Sequence, residues 1–253
     1  MKISIITATY NSGTTLRDTI ESVLNQTYKD IEYIIVDGVS KDNTLEIARE
    51  YESRFEGRMR IISEPDKGIY DAMNKGIAAA TGDVVGILNS DDLYNGDNVL
   101  EQIVNSYSQN ANIDGIYADL YYVAQNDISK VVRHWKSCKQ KSFAKGWHPA
   151  HPTFYLNRSL YEQFDTFDLS YSLAADFELM LRYLEKYHIN VKYIEAPLVR
   201  MRLGGATSKN ISNIKKGNIE CIRAFKKNGI YAPWYYPIYR LVPKLKQFFH
   251  KQH

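Results

Sequence analysis

Short apolar runs alternate with amphipathic stretches through the first third of the chain. Ile3 to Thr7 carries little polarity on either side, which predicts a strand buried on both faces. Leu16, Ile20, Val23 and Leu24 follow at i, i+4, i+7 and i+8, the spacing of one helix face. Tyr33 to Val36 predicts a second strand. Leu45, Ala48 and Tyr51 predict a second helix, with Ser40 and Asp42 as candidate N-caps. Arg60 to Ile62 predicts a third strand, Ile69 to Ala80 a third helix ended by Gly82, and Val84 to Leu88 a fourth strand. Strict alternation of strand and helix over about 95 residues predicts a parallel sheet with right-handed crossovers.

Parallel strands end at one edge of their sheet, and ligands bind there. Polar residues follow each predicted strand: Thr7 to Asn11, Asp37, Asp66, and the run Asn89-Ser90-Asp91-Asp92. Two adjacent carboxylates leaving a hydrophobic strand repel each other unless a cation or a set of donors compensates. Hard oxygen ligands suit Mg2+ or Mn2+ held together with substrate phosphates. Any one of these loops also reads as an ordinary polar turn; four converging from distant positions are hard to ascribe to chance. The first loop holds Gly13 but no G-x-G-x-x-G, and no P-loop is present, which excludes a dinucleotide site of that type.

The later pattern is less regular. Ile116 to Val123 predicts a strand interrupted by Asp119, and Lys130 to Lys145 is a basic stretch around Trp135 that reads as a solvated hairpin or an acceptor-facing surface. Gly146 to Pro152 is a rigid loop with His148 and His151. His151 is the better candidate for substrate contact because it directly precedes a strand predicted over Thr153 to Leu156. Phe177, Met180, Leu181 and Leu184 predict an amphipathic helix, with Asp176 and Glu178 at its start, where acids complement the helix dipole in any protein. Val191 to Ile194 predicts a further strand. Arg200 or Arg202 offers a cation for a diphosphate, or else faces solvent, and Gly204-Gly205 before Ala206 to Ser208 predicts a loop able to move over a donor.

A chain of 253 residues accommodates one large α/β domain with an appendage. The division expected is a domain over 1–205, with a nucleotide-binding half (1–95) and an acceptor-side half (96–205), followed by a helical basic-aromatic tail over 206–253. A net charge of +3 argues for no nucleic-acid partner, but its distribution is uneven. Glu220 is the last acid, and Arg223, Lys226, Lys227, Arg240, Lys244, Lys246 and Lys251 follow it, mixed with Trp234, Tyr235, Tyr239, Phe248 and Phe249. Such a segment suits peripheral contact with an anionic membrane through 231–253, with Pro237 and Pro243 breaking any single long helix. Two cysteines give no disulfide framework, no signal-peptide pattern is visible, and no run approaches the ~18 apolar residues of a membrane span. The location expected is cytoplasmic, at the inner face of the plasma membrane.

Thr9-Tyr10-Asn11, Val36-Asp37-Gly38, the loop Glu64 to Gly68 leading to Asn74-Lys75-Gly76, and Asn89-Ser90-Asp91-Asp92 together resemble the family 2 glycosyltransferases of the GT-A fold, closely over about the first 95 residues and more loosely to about 205. The resemblance implies an α/β, Rossmann-like, mostly parallel sheet flanked by helices. It implies that Thr7, Thr9, Tyr10 and Asp37 hold the nucleobase and ribose of a nucleotide-sugar, and that Asp66 and Lys67 also contact the nucleotide. The family's D-x-D motif falls on Asn89, Ser90 and Asp91. Asn89 replaces an acid that contacts ribose or sugar, where an amide still hydrogen-bonds, and Asp91 is the metal-facing acid, with Asp92 beside it. The family's catalytic base falls on Asp176. His151 and Arg202 complete the candidate substrate contacts. The activity implied is inverting transfer from a UDP-linked sugar to a saccharide or lipid-linked saccharide in surface polysaccharide synthesis. A nucleotidyltransferase acting on a sugar phosphate is the main rival, but it calls for a glycine-rich, basic first loop that Ala8 to Gly13 does not provide. A non-catalytic sugar-binding relative has only Asn89 in its favour.

Overall fold

The computed structural model of the chain describes residues 1–110, 112–204 and 211–239. The first half runs β1 (Ile3–Thr9), α1 (Leu16–Leu24), β2 (Ile31–Asp37), α2 (Thr44–Glu52), β3 (Met59–Ser63), α3 (Ile69–Ala79), β4 (Val84–Ile87), β5 (Leu93–Tyr94) and α4 (Val99–Gln109). The second half runs β6 (Gly115–Ala124), β7 (Asp127–Trp135), β8 (Tyr155–Asn157), α5 (Ser159–Phe164), α6 (Ala175–Leu181), β9 (Val191–Arg202), α7 (Ile211–Lys227) and α8 (Tyr236–Tyr239).

Alternation along the strands sorts the core into two layers. Ile3 and Ile5 of β1 face Tyr33 and Ile35 of β2 beneath α1, α2 and α4. Ile6 and Ala8 turn the other way and join Ile34 and Val36 under α3, α6 and α7. Fully burying one such side chain stabilises the fold by about 1.5–3 kcal/mol, so these two layers fix the sheet edge on which the polar loops stand.

The strands lie in the order β3-β2-β1-β4-β8-β6-β9-β5, with β7 paired to β6. The first four are mutually parallel, as the alternation predicts, and Thr9, Asp37 and Ser63 stand side by side at their carboxyl ends. β8 then enters antiparallel to both β4 and β6. This close joint depends on Gly86: a Cβ there would lie 1.9 Å from Cε1 of the Tyr155 ring.

Several predicted elements differ in extent. β9 continues well past Ile194, because its later residues pair with both β6 and β5. Thr153 is not in a strand: His151–Thr153 forms a 3-10 turn, and β8 starts at Tyr155. Asp119 does not interrupt β6. It is buried within the strand, accepting bonds from Ser137 N and Tyr193 Oη, both at 2.7 Å. α6 is buried almost all round rather than on one face, because α7 covers its outer side, and Leu184 lies in a following π-helical turn, Arg182–Lys186. The predicted loop over 205–208 and the tail beyond Tyr239 lie outside the described residues. Among the described residues no helix is long and apolar enough to cross a membrane.

Candidate active site

The loops after β1, β2 and β3 meet at one place. Asp37 ends β2 with its carboxylate buried, accepting from Ser40 N (3.2 Å) and Ser63 Oγ (2.8 Å). Asp66 folds back on its own loop, taking the amide of Gly68 at 2.8 Å. Gly38 lies against both Asp66 and Tyr10: a Cβ on it would fall 2.3 Å from Asp66 Oδ2 and 3.5 Å from Tyr10 Cδ2. The result is a small cradle with an exposed tyrosine ring on one side and carboxylates on the other. Thr9 lines the same edge, and its Oγ1 is buried with no hydrogen-bond partner among the described residues. Lys67 is exposed beside it.

Thr7 stands apart from the cradle. It is 0% exposed, donates to the Leu88 carbonyl at 2.8 Å and accepts from the Tyr33 phenol at 3.1 Å. The period of the strand puts its side chain in the core, where it ties β1 to β4, so it presents no accessible atom to a ligand.

The acidic run forms a turn directly beyond β4, with Asp92 N bonded to Asn89 O at 3.0 Å. Ser90 Oγ lies 2.9 Å from Ser12 Oγ, which joins this turn to the first loop. Asp92 is wholly buried; its Oδ2 accepts from Asn89 Nδ2 at 2.9 Å, while its Oδ1 is buried with no partner among the described residues. The carboxylate of Asp91 folds back toward its own backbone N–H. Burial raises the Asp91 carboxyl against the opposing charges of Arg202 and His151. Burial, together with Asp91 itself, pushes Asp92 well above the ordinary carboxyl range. Arg202 sits behind the turn. Its Nη1 donates to the Asp91 carbonyl at 2.7 Å and its Nη2 pairs with Asp18, so a residue expected to face a diphosphate is committed to holding the acidic turn.

Asp176 opens α6 with its carboxylate gripped from two sides. The phenol of Tyr70, in the first turn of α3, donates to Oδ1 at 3.1 Å. His151 Nδ1 lies 3.4 Å from Oδ2. The other ring nitrogen of His151 lies 3.2 Å from Asn89 Nδ2. An amide nitrogen only donates, so Nε2 accepts and the ring proton sits on Nδ1, facing Asp176. Burial lowers the His151 pKa, outweighing the pull of Asp176 and Asp91, which favours the neutral ring. The imidazole therefore spans the acidic turn and Asp176 within one cleft. Beside it Tyr122, Trp135 and His148 form an aromatic ladder that ends on Phe177, the neighbour of Asp176, with ring centroids 6.1, 5.2 and 5.8 Å apart in turn.

Tyr70 escapes a reading based on strand ends because it lies inside a helix; its position just beyond Asp66-Lys67-Gly68 is the signal that could have found it. Among the described residues no three His, Cys, Asp or Glu side chains are placed to hold a metal by themselves. The turn nevertheless fits a divalent cation. Asp91 stands beside a second, buried acid whose Oδ1 has no partner among the described residues, and a cation arriving with phosphate ligands needs only one or two protein carboxylates.

The family model described as Glycosyl transferase family 2 matches residues 4–173. A PGL/p-HBAD biosynthesis glycosyltransferase of Mycobacterium tuberculosis is 27% identical over 216 residues, which is 82% of this chain and 79% of the relative. S. aureus TarS 1–349, solved in complex with UDP-GlcNAc, is similar over 88% of this chain and 67% of its own, with a TM-score of 0.62 at 17% identity. This chain spans 40% of a longer TarS structure. The mannosyltransferase PcManGT from Pyrobaculum calidifontis, in complex with GDP-Man and Mn2+, is similar over 96% of this chain and 73% of its own, with a TM-score of 0.65 at 18% identity. At these identities the solved structures share the fold.

Proposed function

Because the chain belongs to glycosyl transferase family 2 and is a glycosyltransferase with a GT-A fold, we propose that it inverts the anomeric centre of a UDP-linked sugar while moving it to a hydroxyl of a saccharide or lipid-linked saccharide. The observation that carries this reading is His151, which lies between Asn89 and the Asp176 carboxylate and within electrostatic reach of both Asp176 and Asp91.

In this reading Tyr10, Asp37 and Asp66 bind the nucleoside in the cradle around Gly38, and Thr9 and Lys67 complete that edge. Asn89 and Ser90 face the ribose and sugar. Asp91 holds Mg2+ or Mn2+, which would supply positive charge to the departing nucleoside diphosphate. Asp176 takes the proton of the acceptor hydroxyl as its oxygen bonds to the anomeric carbon and the bond to the diphosphate breaks. Tyr70 and His151 hold the two oxygens of this carboxylate in place, and it can receive the proton late, as the acceptor oxygen becomes acidic. Support for UDP comes from the TarS complexes, whose titles give UDP and UDP-GlcNAc. Support for a lipid-linked acceptor comes from Tyr231 and Trp234, 78% and 83% exposed on the approach to the basic tail.

The test is a thermal-shift panel of UDP, GDP, UDP-GlcNAc and GDP-Man with and without Mn2+, followed by product analysis. A ligand at 100 times its Kd stabilises the fold by about 2.7 kcal/mol. A UDP-selective, Mn2+-dependent shift with free UDP as product is expected. Release of pyrophosphate, or no shift with any nucleotide, would sink the reading.

A further inference from the structure

The chemistry outlined above leaves α7 without a part, yet α7 reaches the residue proposed as base. Glu220 points from α7 into the loop that opens α6. Its Oε2 accepts from Leu173 N at 2.8 Å, Ala174 N at 3.0 Å and Ser172 N at 3.2 Å, and its Oε1 accepts from Ser172 Oγ at 2.9 Å. These amides belong to the N-cap residue Ala174 and the two residues before it, so Glu220 binds the chain where it enters α6, a helix with no side-chain cap hydrogen bond among the described residues. Glu220 is 6% exposed. Burial acts to raise its carboxyl, but the bonds from Leu173, Ser172 and Ala174 prevail and hold it below the ordinary range. One turn further along α6, Asn228 Nδ2, just past the end of α7, donates to buried Glu178 at 3.0 Å. The α7 segment thus holds α6 on both sides of Asp176.

We propose that Glu220 is a positioning residue for the transfer reaction: a cap lent by α7 that fixes the first turn of α6 and with it the direction in which Asp176 presents its carboxylate. The proposal rests on the reading of Asp176 as the base. Without Glu220, three consecutive amides lose their acceptor, and the carboxylate of Asp176, two residues beyond Ala174, becomes the competing one. Asp176 would then turn toward its own helix and away from Tyr70 and His151. Donor binding, built on the loops of β1 to β4, would be untouched.

The experiment is a double-variant cycle. Turnover is followed as UDP released from UDP-GlcNAc with Mn2+ and water as acceptor, or from whichever donor the nucleotide panel selects. Wild type, Glu220→Gln, Asp176→Asn and the double variant are compared, and UDP affinity is titrated on each. Glu220→Gln is expected to lower kcat about tenfold or more with UDP affinity held within about twofold. It should cost less than about twofold when Asp176 is already Asn, because its effect passes through that carboxylate. An equal loss in both backgrounds, or none in the wild-type background, overturns the proposal. Wild-type turnover in Asp176→Asn alone would instead remove Asp176 as base. Should Glu220→Gln fail to fold, Glu220→Asp, which keeps the charge and shortens its reach, is judged by the same criteria.

Discussion

Tyr70 donates a 3.1 Å hydrogen bond to Oδ1 of Asp176, joining residues 106 positions apart. Tyr70 stands two residues beyond Gly68, at the end of the loop that carries Asp66 and Lys67. The bond therefore links the loop proposed to bind the nucleotide to the carboxylate proposed to receive the acceptor's proton. Tyr70→Phe keeps the ring and its packing on Phe167 and removes only the hydroxyl. A hydrogen bond to a charged group is worth about 1.5–3 kcal/mol, so kcat should fall roughly tenfold to a hundredfold. Steady-state kinetics beside UDP titration would check this; a matching loss of UDP affinity would place Tyr70 in donor binding instead.

Asp91 and Asp92 are two acids whose charged forms are disfavoured by burial and by each other. Asp91→Asn removes one of those charges. Without divalent cation its melting temperature should rise above that of the wild type. With Mn2+ and UDP together the wild type should gain stability and the variant should gain little. Calorimetry in EDTA and in Mn2+ gives both comparisons, and an undiminished Mn2+-dependent gain would show that Asp91 is not the ligand.

Gly38→Ala places a methyl 2.3 Å from Asp66 Oδ2 and 3.5 Å from the Tyr10 ring. One wall of the cradle must move. The fold should survive, because the collision is with side chains at the surface edge, while nucleotide affinity falls about tenfold, near 1.4 kcal/mol. Titration with UDP, alongside a circular dichroism spectrum, separates the two effects.

Low pH should loosen α7. Burial acts to raise the carboxyls of Glu220 and Asp168, but hydrogen bonds prevail and both sit below their ordinary values of 4.5 and 3.8. The unfolded chain therefore binds protons that the folded chain refuses. The stability these groups provide is complete above those ordinary values and is lost as pH falls through the lower folded values. The part of the melting temperature that depends on Glu220, read as wild type minus Glu220→Gln, should hold level down to about pH 5 and then shrink. A decline as steep in the variant would assign the acid sensitivity to other carboxylates.

The exposed rings of Tyr231 and Trp234 should favour an anionic bilayer surface. Sedimentation with vesicles containing phosphatidylglycerol should carry down the wild type at low salt. Neutral vesicles should not, and Trp234→Ala should weaken the association. Equal recovery with both vesicle types would count against a charged lipid surface as the docking place.

β1, β2 and β4 are legible in the sequence because each is buried on both sides, which leaves a largely apolar run between polar loops, while β3, at the edge of the sheet with Arg60 exposed, is marked only by Ile61-Ile62 between two helical stretches. β9 is not, since Glu195, Pro197 and Arg200 break its run while it still pairs with β6 and β5. Thr7 shows where strand-end chemistry misleads. It is polar and lies near the loop, but it falls on the same side of β1 as Ile3 and Ile5 and is consumed by Leu88 and Tyr33. Asp91 and Asp176 could be picked out by motif and helix position. Their supports could not, because the partners of Asp176 lie on α3 and in the 3-10 turn before β8, and no spacing rule links them. Glu220 is visible in the sequence only as the last acid, and its contacts require α7 to lie on α6.

An amide at position 89 alters what the acidic turn requires for its own upkeep. Asn89 gives an N–H to Asp92 and approaches His151 with the same group. A third carboxylate there would add repulsion where Asn89 adds a brace. The turn can thus keep its shape without an ion in residence, so that under the proposed function a metal would be free to arrive with the nucleotide and leave with it.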